Sequence, residues 1–127
     1  MRRKPKYVYL LSTESYGHSG FIKVGITCDY VGRIRQVSNT TPFYISPLIV
    51  VEVDNPSDVE ASVLEKFKQY RIKGEWFYIK PSDGLDPSMC SFREFMDDFT
   101  DQSKLLERKM KRYLKSRPGA RVVDALL

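Results

Sequence analysis

The sequence predicts an α+β fold in which a small, mostly antiparallel sheet is flanked by helices and followed by a long C-terminal amphipathic helix. Three observations support this prediction. Segments rich in aromatic and β-branched residues alternate with segments whose apolar residues recur at helical spacing. The first two strand-like segments are separated by a short glycine-containing run, which predicts a hairpin. The chain of 127 residues, 42% of them hydrophobic, is long enough for one compact core.

The first half of the chain predicts a hairpin followed by a helix. Residues 6–12 (KYVYLLS) and 21–26 (FIKVGI) have the composition of strands, and residues 16–20 (YGHSG) between them are typical of a loop. Gly25 lies within the second strand, at a position where a Cβ would obstruct a neighbour. Asp29 is suited to be the N-cap of the helix that follows. The apolar residues at helical spacing are Tyr30, Ile34 and Val37.

The second half continues as strand, helix and strand. Residues 43–53 (FYISPLIVVEV) predict a third strand in which Pro47 marks either a bulge or the true start. Asn55 as N-cap and Pro56 at the first helical position predict a helix start. Gly74 is expected to end that helix, ahead of a short strand at residues 75–80. The stripe expected to be buried on this helix comprises Val59, Val63, Phe67 and Tyr70.

The C-terminal part predicts a connector and one long amphipathic helix. Residues 80–90 are rich in Pro, Gly and Asp, and Ser91 with Glu94 forms a capping-box pattern. Pro118 and Gly119 end the helix, and the apolar tail at residues 120–127 is expected to dock on the body or to bind a partner. The apolar side of the helix comprises Phe92, Phe95, Met96, Phe99, Leu106, Met110 and Tyr113.

Composition favours a polyanion partner and argues against several other classes of function. The formal net charge is +5, and basic residues cluster near both ends of the chain. For the C-terminal cluster, a solvated helix face is an alternative. A single histidine and two cysteines, Cys28 and Cys90, are too few for a four-ligand zinc site or Ser-His-Asp chemistry, and we expect both thiols to be reduced. Because no apolar run is long enough to span a bilayer, we expect no membrane association and a cytoplasmic location in a bacterium or infected host cell.

The segment from Tyr7 to Ile79 resembles the GIY-YIG nuclease superfamily, and specifically its small phage-type DNA-binding branch. Val8-Tyr9-Leu10 stands at the first motif, and Lys23-Val24-Gly25 stands at the second, in the KIG form of this branch. Arg33 and Glu60 match the superfamily's helix arginine and helix glutamate. Gly74-Glu75-Trp76-Phe77 matches the closing GEWF signature, with Arg71 before it. On this resemblance, residues 1–80 form the GIY-YIG-like domain, and residues 81–127 form a connector and a helical extension packed on it or on a partner.

The resemblance implies phosphodiester hydrolysis with Tyr9, Lys23, Arg33 and Glu60 as catalytic residues. Tyr9 would hold or deprotonate the attacking water, and Lys23 would lower the pKa of that tyrosine or contact the phosphate. Arg33 presents a planar fork suited to phosphate oxygens. Glu60 would be the metal ligand for Mg²⁺ or another divalent cation. We expect all four to converge on one concave, solvent-accessible face of the sheet.

Each of these residues also has an ordinary structural explanation. Tyr9 is compatible with a packed strand aromatic, and Lys23 with a solvent-facing strand residue. Arg33 could pair with Asp29 four residues earlier. Glu60 could belong to a capping box that begins at Ser57. Trp76 is expected in the core.

Three hypotheses of function remain open at this point. The first is a metal-dependent DNA endonuclease or nickase. The second is a non-catalytic DNA-binding module on the same fold, favoured by departures from the family: Lys23 replaces a tyrosine, and Val37 and Leu64 stand where relatives carry histidines. The third is an accessory protein that acts through protein-protein contacts or homodimerisation of the C-terminal helix.

The residues expected to contact DNA are Arg2, Arg3, Lys4, Lys6, Arg35, Arg71, Lys104, Arg108, Lys109, Lys111, Arg112 and Lys115.

Overall fold

A computed structural model describes residues 4–15, 18–41, 44–78 and 105–123 of the chain. Several expectations fall outside these ranges. They concern the basic residues Arg2, Arg3 and Lys104, the thiol of Cys90, the capping box at residues 91–94, the N-terminal half of the long helix, and the last four residues of the tail.

One antiparallel sheet of six strands organises the described part of the molecule. In spatial order its strands are β4, β5, β2, β1, β3 and β6, and every neighbouring pair is antiparallel. The predicted α+β class is confirmed. The strand bounds are β1 Tyr7–Ser15, β2 His18–Thr27, β3 Tyr44–Glu52, β4 Arg71–Lys73, β5 Trp76–Tyr78 and β6 Arg121–Val122.

The hairpin of β1 and β2 is longer than the sequence predicted. The expected loop at residues 16–20 is wrong, because His18 pairs with Ser15 and the strand continues from there. The glycines and small polar residues suggested a reversal but did not show where it lies. Near Pro47, the register of β3 against β1 shifts between Leu10 and Leu11, as expected for a bulge.

Within the described ranges, three α-helices accompany the sheet. Helix α1 spans Tyr30–Thr40, and its N-cap Asp29 accepts a hydrogen bond from the backbone N–H of Gly32 at 3.1 Å. Helix α2 spans Pro56–Lys66 and is followed by a 3₁₀ turn over Lys68–Tyr70. Residues 105–115 form α3. Gly74 does not end α2 as predicted; it has a φ of 55° in the turn between β4 and β5.

The two faces of the sheet carry separate apolar clusters. We define the α1 face as the side on which Tyr9, Leu11 and Val50 pack against Ile34 and Val37 of α1. The opposite side, the α2 face, receives both α2 and α3. Its buried side chains include Val8, Leu10, Val24, Val59, Val63, Leu106, Met110 and Leu114.

The C-terminal residues are part of this single sheet architecture. Leu106, Met110 and Leu114 are buried among side chains of α2 and the central strands. The described part of the tail docks on the body, because β6 pairs with Val51 and Glu52 of β3 and Arg121 forms an ion pair with Glu52. Among the described helices, none is long and apolar enough to cross a membrane.

Candidate functional site

Tyr9 and Arg33 form the centre of the candidate site and are in direct contact. Tyr9 lies on the central strand β1, directly opposite Gly25 of β2, and its side chain is fully buried. Arg33 projects from the first turns of α1, which the Asp29 cap fixes in place. The Nε of Arg33 donates to the Tyr9 hydroxyl at 3.4 Å, a long hydrogen bond.

Gly25 makes this arrangement possible. A Cβ at position 25 would overlap the Cζ and hydroxyl oxygen of Tyr9, so the tyrosine ring lies across the glycine backbone. The expectation that Gly25 makes room for a neighbour is confirmed, and the neighbour is Tyr9. This contact orients the hydroxyl towards α1, where Arg33 meets it.

Arg33 does not form the ion pair with Asp29 that was its ordinary alternative. The Asp29 carboxylate caps α1 instead, and the Nη1 of Arg33 donates to the Oε1 of Gln36 at 2.8 Å. The hydrogen bond to Tyr9 is the largest of the effects that raise the pKa of Arg33. Two described hydrogen bonds occupy two of its five N–H donors.

Lys23 lies on the same face of β2 as Gly25 but pairs with a residue that the sequence did not single out as functional. Its Nζ is 2.9 Å from the Oε2 of Glu75 and 5.4 Å from the centre of the Trp76 ring. The backbone carbonyl of Glu75 also accepts from the N–H of Val24 at 3.0 Å. Glu75 was recognised only as one letter of the GEWF signature, because its partner depends on the pairing of β5 with β2.

Glu60 reaches the site from the other side of the sheet. Helix α2 packs its valines on the α2 face, so the expectation that all four residues project from one face is wrong for Glu60. The Glu60 carboxylate nevertheless interacts electrostatically with Glu75 and Lys23. Burial raises the pKa of Glu60, the charge of Glu75 raises it further, and Lys23 opposes the shift. Strand β5 pairs with β2 only over Phe21–Lys23, so in the described structure no strand covers the β2 edge beyond it.

The capping box that would have explained Glu60 is not formed. Helix α2 begins at Pro56 with Asn55 as N-cap, which places Ser57 inside the helix. The Oε2 of Glu60 is buried and has no hydrogen-bond partner within the described structure. A desolvated carboxylate oxygen without a partner is energetically costly, and a cation would relieve that cost.

A cleft of about 310 Å³ opens beside Arg33 and Lys23. It lies between α1 and the strands β2 and β5. Trp76 was expected in the core, but its half-buried ring forms part of the wall. Among the described residues, its lining is Lys23, Arg33, Gln36, Val37, Thr40, Thr41 and Trp76. The exposed guanidinium of Arg33 and the ammonium of Lys23, which is paired with Glu75, both line the cleft, and the positive charge of Arg33 is suited to an anionic ligand.

Of the other predicted DNA contacts, Arg35 lies on α1, the helix that lines this cleft. Lys4, Lys6, Arg35 and Arg71 are all exposed, and the Nε of Arg71 donates to the carbonyl of Gly74 at 2.6 Å. The basic residues of α3 belong to a helix that packs on the α2 face. Of these, Lys111 is half-buried, and the exposed ones are Arg108, Lys109, Arg112 and Lys115.

Residues 6–93 match the family of the T5orf172 domain. The chain belongs to this family. T5orf172 domains are associated with phages and have a GIY-YIG-like nuclease fold. No curated protein and no solved structure matches the chain.

Proposed function

We propose that this T5orf172 domain is a metal-dependent DNA endonuclease or nickase that hydrolyses phosphodiester bonds. The observation that carries the proposal is the combination of a cationic cleft and the unpartnered carboxylate oxygen of Glu60. Phosphoryl chemistry needs positive charge around the phosphate and a means of activating water. Arg33 and Lys23 supply the first, and Glu60 supplies a ligand for the second.

Glu60 fits a divalent cation that keeps most of its waters. Among the described residues there is no group of three or more His, Cys, Asp or Glu side chains that could hold a metal. Mg²⁺ is commonly bound by one or two carboxylates, with water and substrate phosphate completing its shell. When bound, such an ion neutralises phosphate charge and lowers the pKa of a coordinated water. Glu60 must be ionised to bind it.

Arg33 and Lys23 would hold the phosphate, and Tyr9 would position Arg33. Arg33 has donors beyond the two described bonds, and its planar fork matches phosphate oxygens. Lys23 is held beside the cleft by Glu75 and Trp76. The Tyr9 ring is fully buried, so its role in this arrangement is to orient the guanidinium rather than to take a proton from exposed water.

A non-catalytic DNA-binding module is the second candidate. The burial of Tyr9 favours it, as do Val37 and Leu64 at the positions where relatives carry histidines. The protein-contact hypothesis has less support from α3. Its side chains Leu106, Met110 and Leu114 are buried in the core of the domain, so they are not available to a partner.

Glu60→Gln tests the proposal against the second candidate. We expect the wild-type protein to relax supercoiled plasmid with Mg²⁺ and not with EDTA. The variant should cut at least about 100-fold more slowly, because loss of even an indirect metal contact costs about 10–100-fold. Its DNA affinity should be unchanged.

Glu65→Gln is the matched control, since Glu65 lies on the same helix in an exposed ion pair with Lys68. A second measurement needs no turnover: Mg²⁺ should raise the melting temperature of the wild type and of Glu65→Gln but not of Glu60→Gln. A wild type that binds DNA without cutting it, under any divalent cation, would establish the binding module instead.

A further inference from the structure

A second cavity, of about 250 Å³, adjoins the cationic cleft and shares two lining residues with it. We call it the apolar groove. Its lining is Thr13, Phe21, Thr41, Ile72, Lys73 and Trp76. Thr41 and Trp76 line both cavities, so the cleft and the groove meet at these two residues. One end of the combined surface carries Arg33 and Lys23, and the other exposes almost only apolar surface, although Lys73 and two threonines contribute to its lining.

The walls of the groove are rings and an exposed aliphatic side chain. Phe21 packs edge-on against Trp76 with ring centres 6.4 Å apart, and it tilts against Tyr78 at 5.0 Å. These contacts hold the Trp76 ring in place between the two cavities. Ile72 is 51% exposed on the edge strand β4. An exposed isoleucine beside an aromatic wall is the kind of surface that a flat apolar ligand covers.

We propose that the apolar groove receives one unpaired nucleobase of the DNA whose phosphate lies at Arg33 and Lys23. This inference rests on the proposed function and names its substrate class: DNA with an unstacked nucleotide, such as a bulge, a flap or a single strand. A nucleotide fits the two adjoining cavities, because its anionic phosphate matches the cationic cleft and its flat base matches the apolar groove. In a paired duplex the bases are stacked, so their faces cannot reach such a groove.

The volume of the groove agrees with a single base. Pockets that enclose drug-sized ligands begin at about 300 Å³, and one base is smaller than such a ligand. Stacking on an aromatic side chain is tolerant of base identity, since every base presents a π-face. The groove therefore selects unpaired structure and not sequence.

Trp76 is the only tryptophan of the chain, so its fluorescence reports on the groove directly. The experiment titrates the full-length protein in EDTA with two DNAs, a fully paired duplex and the same duplex with one unpaired central nucleotide. We expect the second DNA to quench Trp76 emission and to bind at least about fivefold more tightly, as one stacked base provides. The paired duplex should bind with little quenching.

Ile72→Asn and Val122→Asn form a matched pair of variants. Both replace an exposed aliphatic residue on an edge strand, but Val122 lies on β6 at the opposite edge of the sheet and is 43% exposed. Ile72→Asn should abolish the preference for the unpaired nucleotide and leave affinity for the duplex unchanged. Val122→Asn should behave as the wild type does.

The outcomes separate this inference from the proposed function. The groove would not be a base-binding site if the two DNAs gave equal affinity and equal quenching, or if the two variants behaved alike. Either result would leave the nuclease proposal to be judged by the plasmid assay. Preference for the unpaired nucleotide without cleavage would support the groove and favour the binding module. Absence of any DNA binding, both in EDTA and with Mg²⁺, would overturn both.

Discussion

At the scale of single residues, Glu60 is a partly buried carboxylate whose ionised form is disfavoured by its surroundings. Burial raises the pKa of its carboxyl group, Glu75 raises it further, and Lys23 lowers it. Lys23 offsets this effect only in part, because its Nζ already forms an ion pair with Glu75. The ionised form of Glu60 is therefore destabilised by the fold, and a bound cation would remove that penalty.

The raised pKa of Glu60 predicts a pH-dependent gain of stability for Glu60→Gln. Below the ordinary glutamate pKa of about 4.5 the carboxyl is protonated in both folded and unfolded chains and costs nothing. As pH rises through the raised pKa, the folded chain must ionise a partly buried group, so wild-type stability falls. We expect urea unfolding to show Glu60→Gln more stable than wild type at pH 7 and equal to it near pH 4.

Glu65→Gln is again the control for this comparison, since Glu65 is exposed and bonded to Lys68 on the surface. It should change stability by no more than about 1 kcal/mol at either pH. If Glu60→Gln and Glu65→Gln gave the same pH profile, Glu60 would be an ordinary surface carboxylate, and its assignment as a metal ligand would lose its physical basis.

At the scale of elements, the sequence predicted what depends on local chemistry. The Asp29 cap, the Asn55-Pro56 helix start and the strand around Tyr9 follow from side-chain type and spacing, and the structure contains all three. The extension of β2 to His18 and the two-residue strand β6 were beyond reach. Both depend on backbone hydrogen bonds to β1 and β3. The amino-acid sequences of these two segments therefore contain almost no alternation of apolar and polar residues that would predict a strand.

The residues of the candidate site likewise include some that the sequence identified and others that only the structure revealed. Arg33 and Glu60 were found because a motif order was matched, but the role of Glu75 required knowing that β5 pairs with β2 at Lys23. The position of Glu60 was predicted on the wrong side because helical periodicity identifies the buried stripe of α2 without saying which face of the sheet receives it.

The contact between β1 and β2 gives an element-scale prediction at Gly25. Gly25→Ala should destabilise the protein by about 1–3 kcal/mol, because the new methyl group overlaps the far end of the Tyr9 ring and the core must shift. In a Tyr9→Leu background that part of the ring is absent, so the same substitution should cost much less. Chemical unfolding of the two single variants and the double variant measures the difference.

A Gly25→Ala cost that is unchanged in the Tyr9→Leu background would show that the glycine is needed for its backbone and not for the tyrosine. The hydrogen bond from Arg33 to Tyr9 would then need another explanation, because the close approach of the ring to β2 is what directs the hydroxyl to α1.

At the scale of the whole molecule, the sheet separates two basic surfaces. The first is the cleft on the α1 face, with Arg33, Lys23 and the nearby Arg35 of α1. The second lies on α3, where Lys109 and Arg112 line a cavity of about 470 Å³ with Lys66 and Tyr70 on the other side of the sheet. The fold thus places the described part of the C-terminal charge cluster on the α2 face, away from the cleft.

The division of charge determines which residues should control the salt dependence of DNA binding. Duplex DNA is stiff over about 150 base pairs, so one short duplex cannot contact both faces of so small a domain. If the duplex lies along the α1 face, Arg33→Ala and Arg35→Ala should each reduce the slope of log affinity against log salt by about 0.9. Joint replacement of Arg108, Lys109, Lys111 and Arg112 by alanine should leave the slope for a short duplex unchanged. Fluorescence titrations at several salt concentrations measure both slopes, with circular dichroism to verify folding. If the slope of log affinity against log salt fell only in the α3 variant, by about 0.9 for each lost contact, the DNA would lie on the α2 face. Arg33 would then have no part in DNA recognition.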